Sequence, residues 1–202
     1  GVQGQERQVA ILFVDLRGST KLGEERMPYD VMLILNRFFF EMSEALKATN
    51  GHYANFNGDG LMALYGLESG YETGCREAIA GAVEMHRRMD RLNHSFESEL
   101  GRKLRIGVGI HSGDAIVGTM GPPTKPILSS IGDNVNIAAR LESLTKDFDC
   151  GIVVSVVTAK RAGVDLSNFP VCDAELRGRG ETIMIYKLPE DADPFANKKM
   201  SA

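Results

Sequence analysis

The stretch QVAILFVD, residues 8–15, decides the fold. Val9 to Val14 are apolar without a break, so the segment reads as a strand buried on both faces. It ends on a carboxylate, Asp15. A carboxylate closing an apolar strand is costly unless it is solvated, paired or bound to a cation. Leu16-Arg17-Gly18-Ser19-Thr20 follows, a small, glycine-containing turn whose backbone N–H groups can point at phosphate oxygens. Taken alone, the segment is equally well a plain strand end and turn.

Outward from this strand the pattern alternates. Pro28 opens a helix to about Lys47, placed where an early helical turn tolerates proline. Its apolar residues form two rows: Met32, Leu35, Phe39, Met42 and Leu46, then Val31, Ile34, Phe38 and Ala45. That stripe is wider than one sheet face needs; core burial is the simple explanation, contact with a partner subunit the other. After the Asn50-Gly51 turn, His52–Phe56 and Leu61–Tyr65 read as a hairpin across Asn57-Gly58-Asp59-Gly60. A second helix is expected from Tyr71 to about Phe96. Strands Leu104–His111 and Ala115–Met120, linked at Ser112-Gly113-Asp114, come next, and Pro122, Pro123 and Pro126 mark a loop. The remainder reads as a helix from Val135 to about Lys146, a strand at Ile152–Val154 and a short helix near Val156–Arg161. Two late strands, near Val171–Leu176 and Ile183–Leu188, flank Arg177-Gly178-Arg179-Gly180.

The opening order, βαββαβ, is the ferredoxin-like arrangement. The expected class is therefore an α+β sandwich with helices on one sheet face and a C-terminal extension. Residues 1–7 are expected as a linker, 8–188 as one domain and 189–202 as a polar tail.

Bulk composition narrows the function classes. A chain of 202 residues with 43% apolar and 25% charged residues suits one ordinary domain. A net charge of −4 argues against nucleic acid as a partner. Cys75, Cys150 and Cys172 make no C-x-x-C pair and read as reduced, buried thiols of a cytoplasmic protein. The most apolar stretch, Val31 to Phe40, is interrupted by Asn36 and Arg37, and no run reaches the roughly 18 residues of a membrane span. The chain begins at Gly1 rather than methionine. The expectation is a piece of a longer protein, with any sensor or membrane anchor outside it.

Asp59 strengthens the reading of Asp15. It lies in a hairpin whose strands pair beside the first strand in this topology. Two aspartates on neighbouring strand ends can share divalent cations, and hard oxygen ligands suit Mg²⁺ or Mn²⁺. Two such ions can activate a hydroxyl and clamp a triphosphate during in-line attack. Asn136 and Arg140, four apart on a helix, share a face. Arg140 can hold phosphate oxygens and Asn136 can orient a ribose, although a solvated helix face explains the spacing as well. His111, closing an apolar strand, reads as a satisfied structural histidine rather than a general base. Arg179 reads as a solvated loop charge.

Five segments together carry a resemblance. FVDLRGST (13–20), FNGDGLMALYG (56–66), RIGVGIHSGDAIVG (105–118), IGDNVNIAARLE (131–142) and LRGRG (176–180) resemble, in order, the class III nucleotidyl cyclase catalytic domains. The likeness covers about residues 8–188 and is greatest to bacterial adenylyl cyclases. It implies that Asp15 and Asp59 bind two Mg²⁺ or Mn²⁺ ions per active site, with the Leu16 carbonyl as a further ligand. It implies that backbone N–H groups of Arg17, Gly18, Ser19 and Thr20 hold the β- and γ-phosphates. Asn136 and Arg140 match the transition-state pair, and Arg177 stands where the family often has a phosphate-binding lysine. The family's sites lie between two catalytic domains, so a homodimer with two equivalent sites is implied, along with an upstream sensor or membrane domain in the full-length protein.

Base choice is where the chain departs. Adenylyl cyclases usually carry lysine at the position of Asn55 and Asp or Thr at that of Ser129. An Asn amide can serve adenine N1 and a Ser hydroxyl can accept from the 6-amino group. ATP is the expected substrate; GTP or dual use stays open because both side chains can reverse their roles. Gly107 is a second departure, since some members carry arginine there. A catalytically silent dimerisation module of the same fold also stays open, although silent relatives should have lost one of the four groups Asp15, Asp59, Asn136 and Arg140. No G-x-x-x-x-G-K-[ST] stretch supports a P-loop enzyme.

Overall fold

The apolar run at 8–15 is the middle of a longer strand, β1 (Gln5–Arg17). It pairs antiparallel with β3 (Gly60–Tyr65) on one side and β4 (Arg105–Met120) on the other. The structure, a computed structural model, describes residues 4–57, 60–100, 103–176 and 180–196. The other elements are α1 (Ser19–Glu25), α2 (Pro28–Thr49), β2 (His52–Asn57), α3 (Tyr71–Leu100), β5 (Ile127–Ile131), α4 (Asp133–Asp147), β6 (Ile152–Ser155), α5 (Val156–Ala162), β7 (Val171–Glu175) and β8 (Thr182–Leu188). The sheet runs β2-β3-β1-β4-β6-β8-β7, with β5 attached to β4. Its first four strands are the ferredoxin-like set; β6, β8 and β7 are the extension.

Alternation along β1 sorts the two faces. Ala10, Leu12, Val14 and Leu16 enter the main core with Phe38 and Met42 of α2 and Ile79 and Met85 of α3. Val9 and Ile11 point the other way, into a second cluster with Val135 and Ala138 of α4, and Phe13 packs against it. The expectation of helices on one face is thereby corrected. Helix α4 covers the second face, and its far side packs Leu141 and Leu144 against Val153, Ala174 and Ile185 of the extension.

The cause lies in β4. Gly107, Gly109 and Gly113 remove a row of side chains from one strand, and α4 lies in the resulting groove. A Cβ at Gly109 would meet the backbone of α4, 2.7 Å from the Ala138 oxygen; one at Gly107 would strike Thr145 and one at Gly113 would strike Asn134. The glycine at 107, read as a departure, is what this helix contact requires.

Local signals hold elsewhere. Pro28 stands at the start of α2, and Asn50 (φ 62°) ends it in the left-handed region. Ile34, Phe38, Met42 and Ala45 are buried as expected, but Met32 is 65% exposed, and Tyr29 and Leu33 beside it are exposed too. Cys75 and Cys150 are buried free thiols.

Three boundaries differ from expectation. The two strands expected around residues 112–114 are one 16-residue strand, because β1 pairs with it continuously from Gln5↔Val117 to Arg17↔Arg105. The proline-marked loop ends sooner than expected, since Ile127–Ile131 pairs back on β4. Regular packing also reaches past residues 8 and 188: β1 already begins at Gln5, and Ala192 and Phe195 pack against the main core.

Candidate active site

Asp15 shares its β1 face with Val9, Ile11 and Phe13, so its side chain points toward α4. Its partners on the flanking strands are Gly60 and Gly107, neither of which brings a side chain. A Cβ at Gly60 would lie 3.0 Å from Asp15 Oδ1, so that glycine gives the carboxylate its space. The carboxylate borders a cavity of about 300 Å³ lined also by Ser130, Val135, Ala139 and Glu142.

Glu142 hydrogen-bonds to Asp15, and its pKa is pushed up to about 8. Burial is the larger cause and the Asp15 charge the next; Lys146 and Arg17 oppose them. Two carboxyl groups this close and this buried favour sharing one proton over ionising together. The sequence reading missed this residue. Its signal was the inward side of α4, where Glu142 follows the buried Val135 and Ala138 at helical spacing. Ser130 adds a hydroxyl whose oxygen is buried with no hydrogen-bond partner.

Carboxylate, carboxyl and hydroxyl oxygens around one cavity are the donor set that suits a hard divalent cation. Among the described residues no group of three or more His, Cys, Asp or Glu side chains converges. The second expected aspartate, Asp59, lies outside the described residues, as does Arg177.

Of the other expected residues, Leu16 is buried in the main core, which leaves only its backbone carbonyl as a ligand. Arg17 turns its guanidinium away from the turn and donates to the Cys150 carbonyl, while its Nε is buried without a partner. Burial, then repulsion from Arg105, lowers its pKa. Gly18 (φ 73°) sits in the left-handed region and hands the chain to α1, so Ser19 and Thr20 begin a short helix directly after Asp15.

Asn136 and Arg140 do not line the Asp15 cavity. Asn136 is exposed, and Arg140 is half-buried with Nε donating to the Glu175 carbonyl at 3.4 Å, at the root of the segment carrying Arg177. Ser129 sits opposite Gly118 on the β4–β5 ribbon, while its neighbour Ser130 turns into the cavity. The Ser129 face of that ribbon carries Ile116, Met120, Ile127 and Ile131, each about half exposed. Asn55 pairs through its backbone with Met62, and its side chain lies outside the described residues; β2 and β5 touch.

His111 is structural, as read. Its Nε2 donates to Asn134 Oδ1 at 2.9 Å, so its Nδ1 accepts from the Ser155 hydroxyl at 2.7 Å. Asn134 in turn donates to the Asp114 carbonyl at 2.9 Å, which fixes the start of α4 on β4.

The cyclase resemblance can now be set beside known proteins. The sequence profile of the adenylate and guanylate cyclase catalytic domain matches residues 2–188. The chain belongs to that family. This cyclase domain is 30% identical over 189 residues to an adenylate cyclase of Anabaena cylindrica, covering 90% of this chain and 37% of that protein. It therefore spans little more than a third of that relative's length. Its fold matches the crystal structure of the guanylyl cyclase Cya2 with a TM-score of 0.83 at 28% identity, over 96% of this chain and 97% of that one. The adenylyl cyclase CyaB from P. aeruginosa matches with a TM-score of 0.79 at 26% identity, over 92% and 95%. These two neighbours are named for different bases, so the likeness of fold does not choose between ATP and GTP. Among the described residues, no helix of the cyclase domain is long and apolar enough to cross a membrane.

Proposed function

We propose that this domain converts ATP to 3′,5′-cyclic AMP and pyrophosphate, at two sites shared between two copies of the chain. The observation that carries the reading is the division of α4. One face brings Glu142 to the chain's own Asp15, while Asn136 and Arg140 lie off that cavity and are available to another copy. The complete set of groups then assembles only in a pair. The apolar face of the β4–β5 ribbon supports such a pair, since four large side chains there are each about half exposed.

In this mechanism Asp15 and Asp59 hold the cations, joined by the Leu16 carbonyl. Mg²⁺ or Mn²⁺ bound there supplies a more acidic ribose 3′-hydroxyl and a polarised α-phosphate. Backbone N–H groups from Arg17 to Thr20 hold the β- and γ-phosphates where α1 begins, with Arg177 as a further donor. From the second copy, Asn136 orients the ribose. Arg140 donates to the α-phosphate oxygens as negative charge grows on them. The 3′-hydroxyl gives up its proton to solvent, its oxygen bonds to the α-phosphorus, the bond from that phosphorus to the bridging oxygen breaks, and pyrophosphate leaves.

Asn55 and Ser129 are the proposed base readers, on strands that touch each other. The likeness to Cya2 keeps guanylyl or dual specificity as the second reading. The full-length protein is proposed to be cytoplasmic or to place this domain on the cytoplasmic side of a membrane, under control of an upstream sensor.

The test is product formation from ATP with Mn²⁺ at high protein concentration, beside Asp15→Ala and Arg140→Ala. Each variant should lose at least about 100-fold, the size typical of removing one transition-state donor. A wild-type chain that forms no cyclic nucleotide would instead support the silent module. Parallel rates with ATP and GTP, before and after Asn55→Lys, test base choice: the variant should raise the ATP-to-GTP ratio.

A further inference from the structure

We propose that Glu142 is itself a ligand of the cation held at Asp15, and that the Ser130 hydroxyl holds a water of that cation's shell. The inference rests on the cyclase reading and deepens it: the carboxylate of β1 is joined at the site by one from α4 of the same chain.

Three observations point there. Glu142 already reaches Asp15, since the two side chains hydrogen-bond, so one cation between them touches both without any rearrangement of the backbone. The position is fixed: the Glu142 backbone lies directly over Gly109, and that glycine leaves α4 no gap in which to roll. Ser130 is 6% exposed, and its Oγ is buried in the same cavity with no partner. A buried hydroxyl without a partner is costly, and a water in the cavity removes that cost. At about 300 Å³ the cavity has room for an ion that keeps several waters, as Mg²⁺ and Mn²⁺ do.

A purely structural Glu142 makes the opposite prediction. Its partner Asp15 would be held as well by an amide, and removing the acid would leave cation binding unchanged or tighter.

The experiment measures Mn²⁺ binding to the nucleotide-free protein by the electron paramagnetic resonance of free Mn²⁺. It compares wild type, Asp15→Asn, Glu142→Gln, Glu142→Asp and Ser130→Ala, each checked for fold by circular dichroism and melting. Asp15→Asn should abolish binding. Glu142→Gln should weaken it at least tenfold, Glu142→Asp by less, and Ser130→Ala by about threefold. Wild-type affinity in folded Glu142→Gln overturns the proposal. If that variant does not fold, wild-type affinity in Glu142→Asp overturns it, because a carboxylate one methylene shorter cannot keep a direct contact. A wild-type chain that binds Mn²⁺ with this dependence yet makes no cyclic nucleotide supports the ligand assignment and sinks the cyclase reading. A wild-type chain that binds no Mn²⁺ overturns both.

Discussion

Gly109→Ala tests how tightly catalysis depends on the seat of α4. The added methyl would lie 2.7 Å from both the Ala138 oxygen and the Glu142 Cα, with the Glu142 nitrogen nearer still. Ordinary contact begins at 3.4 Å, and the nearer Glu142 nitrogen sets the requirement, so the helix must retreat by more than ~0.7 Å. Every contacting atom is backbone, which leaves no side-chain rotation to relieve the clash. Overpacking of this kind costs about 1–3 kcal/mol. In a domain of this size a 2 kcal/mol loss lowers Tm by about 4–8 °C. The catalytic effect should exceed the stability effect. Asn136, Arg140 and Glu142 all ride on α4, and a displacement near 1 Å can cost about 100-fold in rate. The assay is cyclic nucleotide formation at a temperature where melting curves show the variant fully folded. Gly23→Ala is the control: it is exposed, within α1, with nothing within 4 Å of a new methyl, and it should stabilise by about 0.5–1 kcal/mol without changing rate. If Gly109→Ala melts and turns over like wild type, α4 is not seated as described.

Three further outcomes follow from the same structure. Burial lowers the pKa values of His86 and His111, so the folded state binds fewer protons than the unfolded chain just below the unfolded value near 6.5. The contribution of these two histidines should therefore be full above that pH and be lost as pH drops through the folded pKa values, while the raised pKa of Glu142 acts in the opposite direction over the same range; the histidine part is read as the difference between wild type and His86→Gln in denaturant melts from pH 7.5 to 5, and that difference should shrink as pH falls. Asp59→Ala and Asn136→Ala chains, each inactive, should on mixing recover about a quarter of wild-type activity. Half the random pairs are mixed, and each mixed pair has one intact site of two; no recovery despite proven mixed dimers counts against shared sites. Tyr65→Phe should cost about 1 kcal/mol in denaturant melts, because the Tyr65 hydroxyl bonds Thr49 Oγ1 at 2.9 Å while Thr49 keeps its second bond to the Ala45 carbonyl. A loss near zero would mean water replaces that bond freely.

Much of the fold was legible because each early element carries its own period. The apolar run ending at Asp15, the proline at 28 and the Asn50-Gly51 turn report local conformation, and the chain obeys them. What was hidden depends on distant partners. Nothing between residues 112 and 114 says that β1 is long enough to hold β4 straight through. Ile127–Ile131 becomes a strand only because β4 extends to meet it. The candidate site divides the same way. Asp15 stood out as a charge where an apolar strand should end, whereas Glu142 looked like any helical acid until Val135 and Ala138 showed which side of α4 faces inward. Gly107 seemed a missing arginine in one dimension; in three it is the floor beneath Thr145.

The division of α4 has a consequence for how such a molecule can be regulated. On the proposed pairing, one flank of this single rod completes its own chain's chamber and the other serves a neighbour, so the rod would work as a common lever. In a two-fold pair, whatever tilts it reaches both chambers in one stroke, so a signal arriving on either copy is felt by two reactions at once.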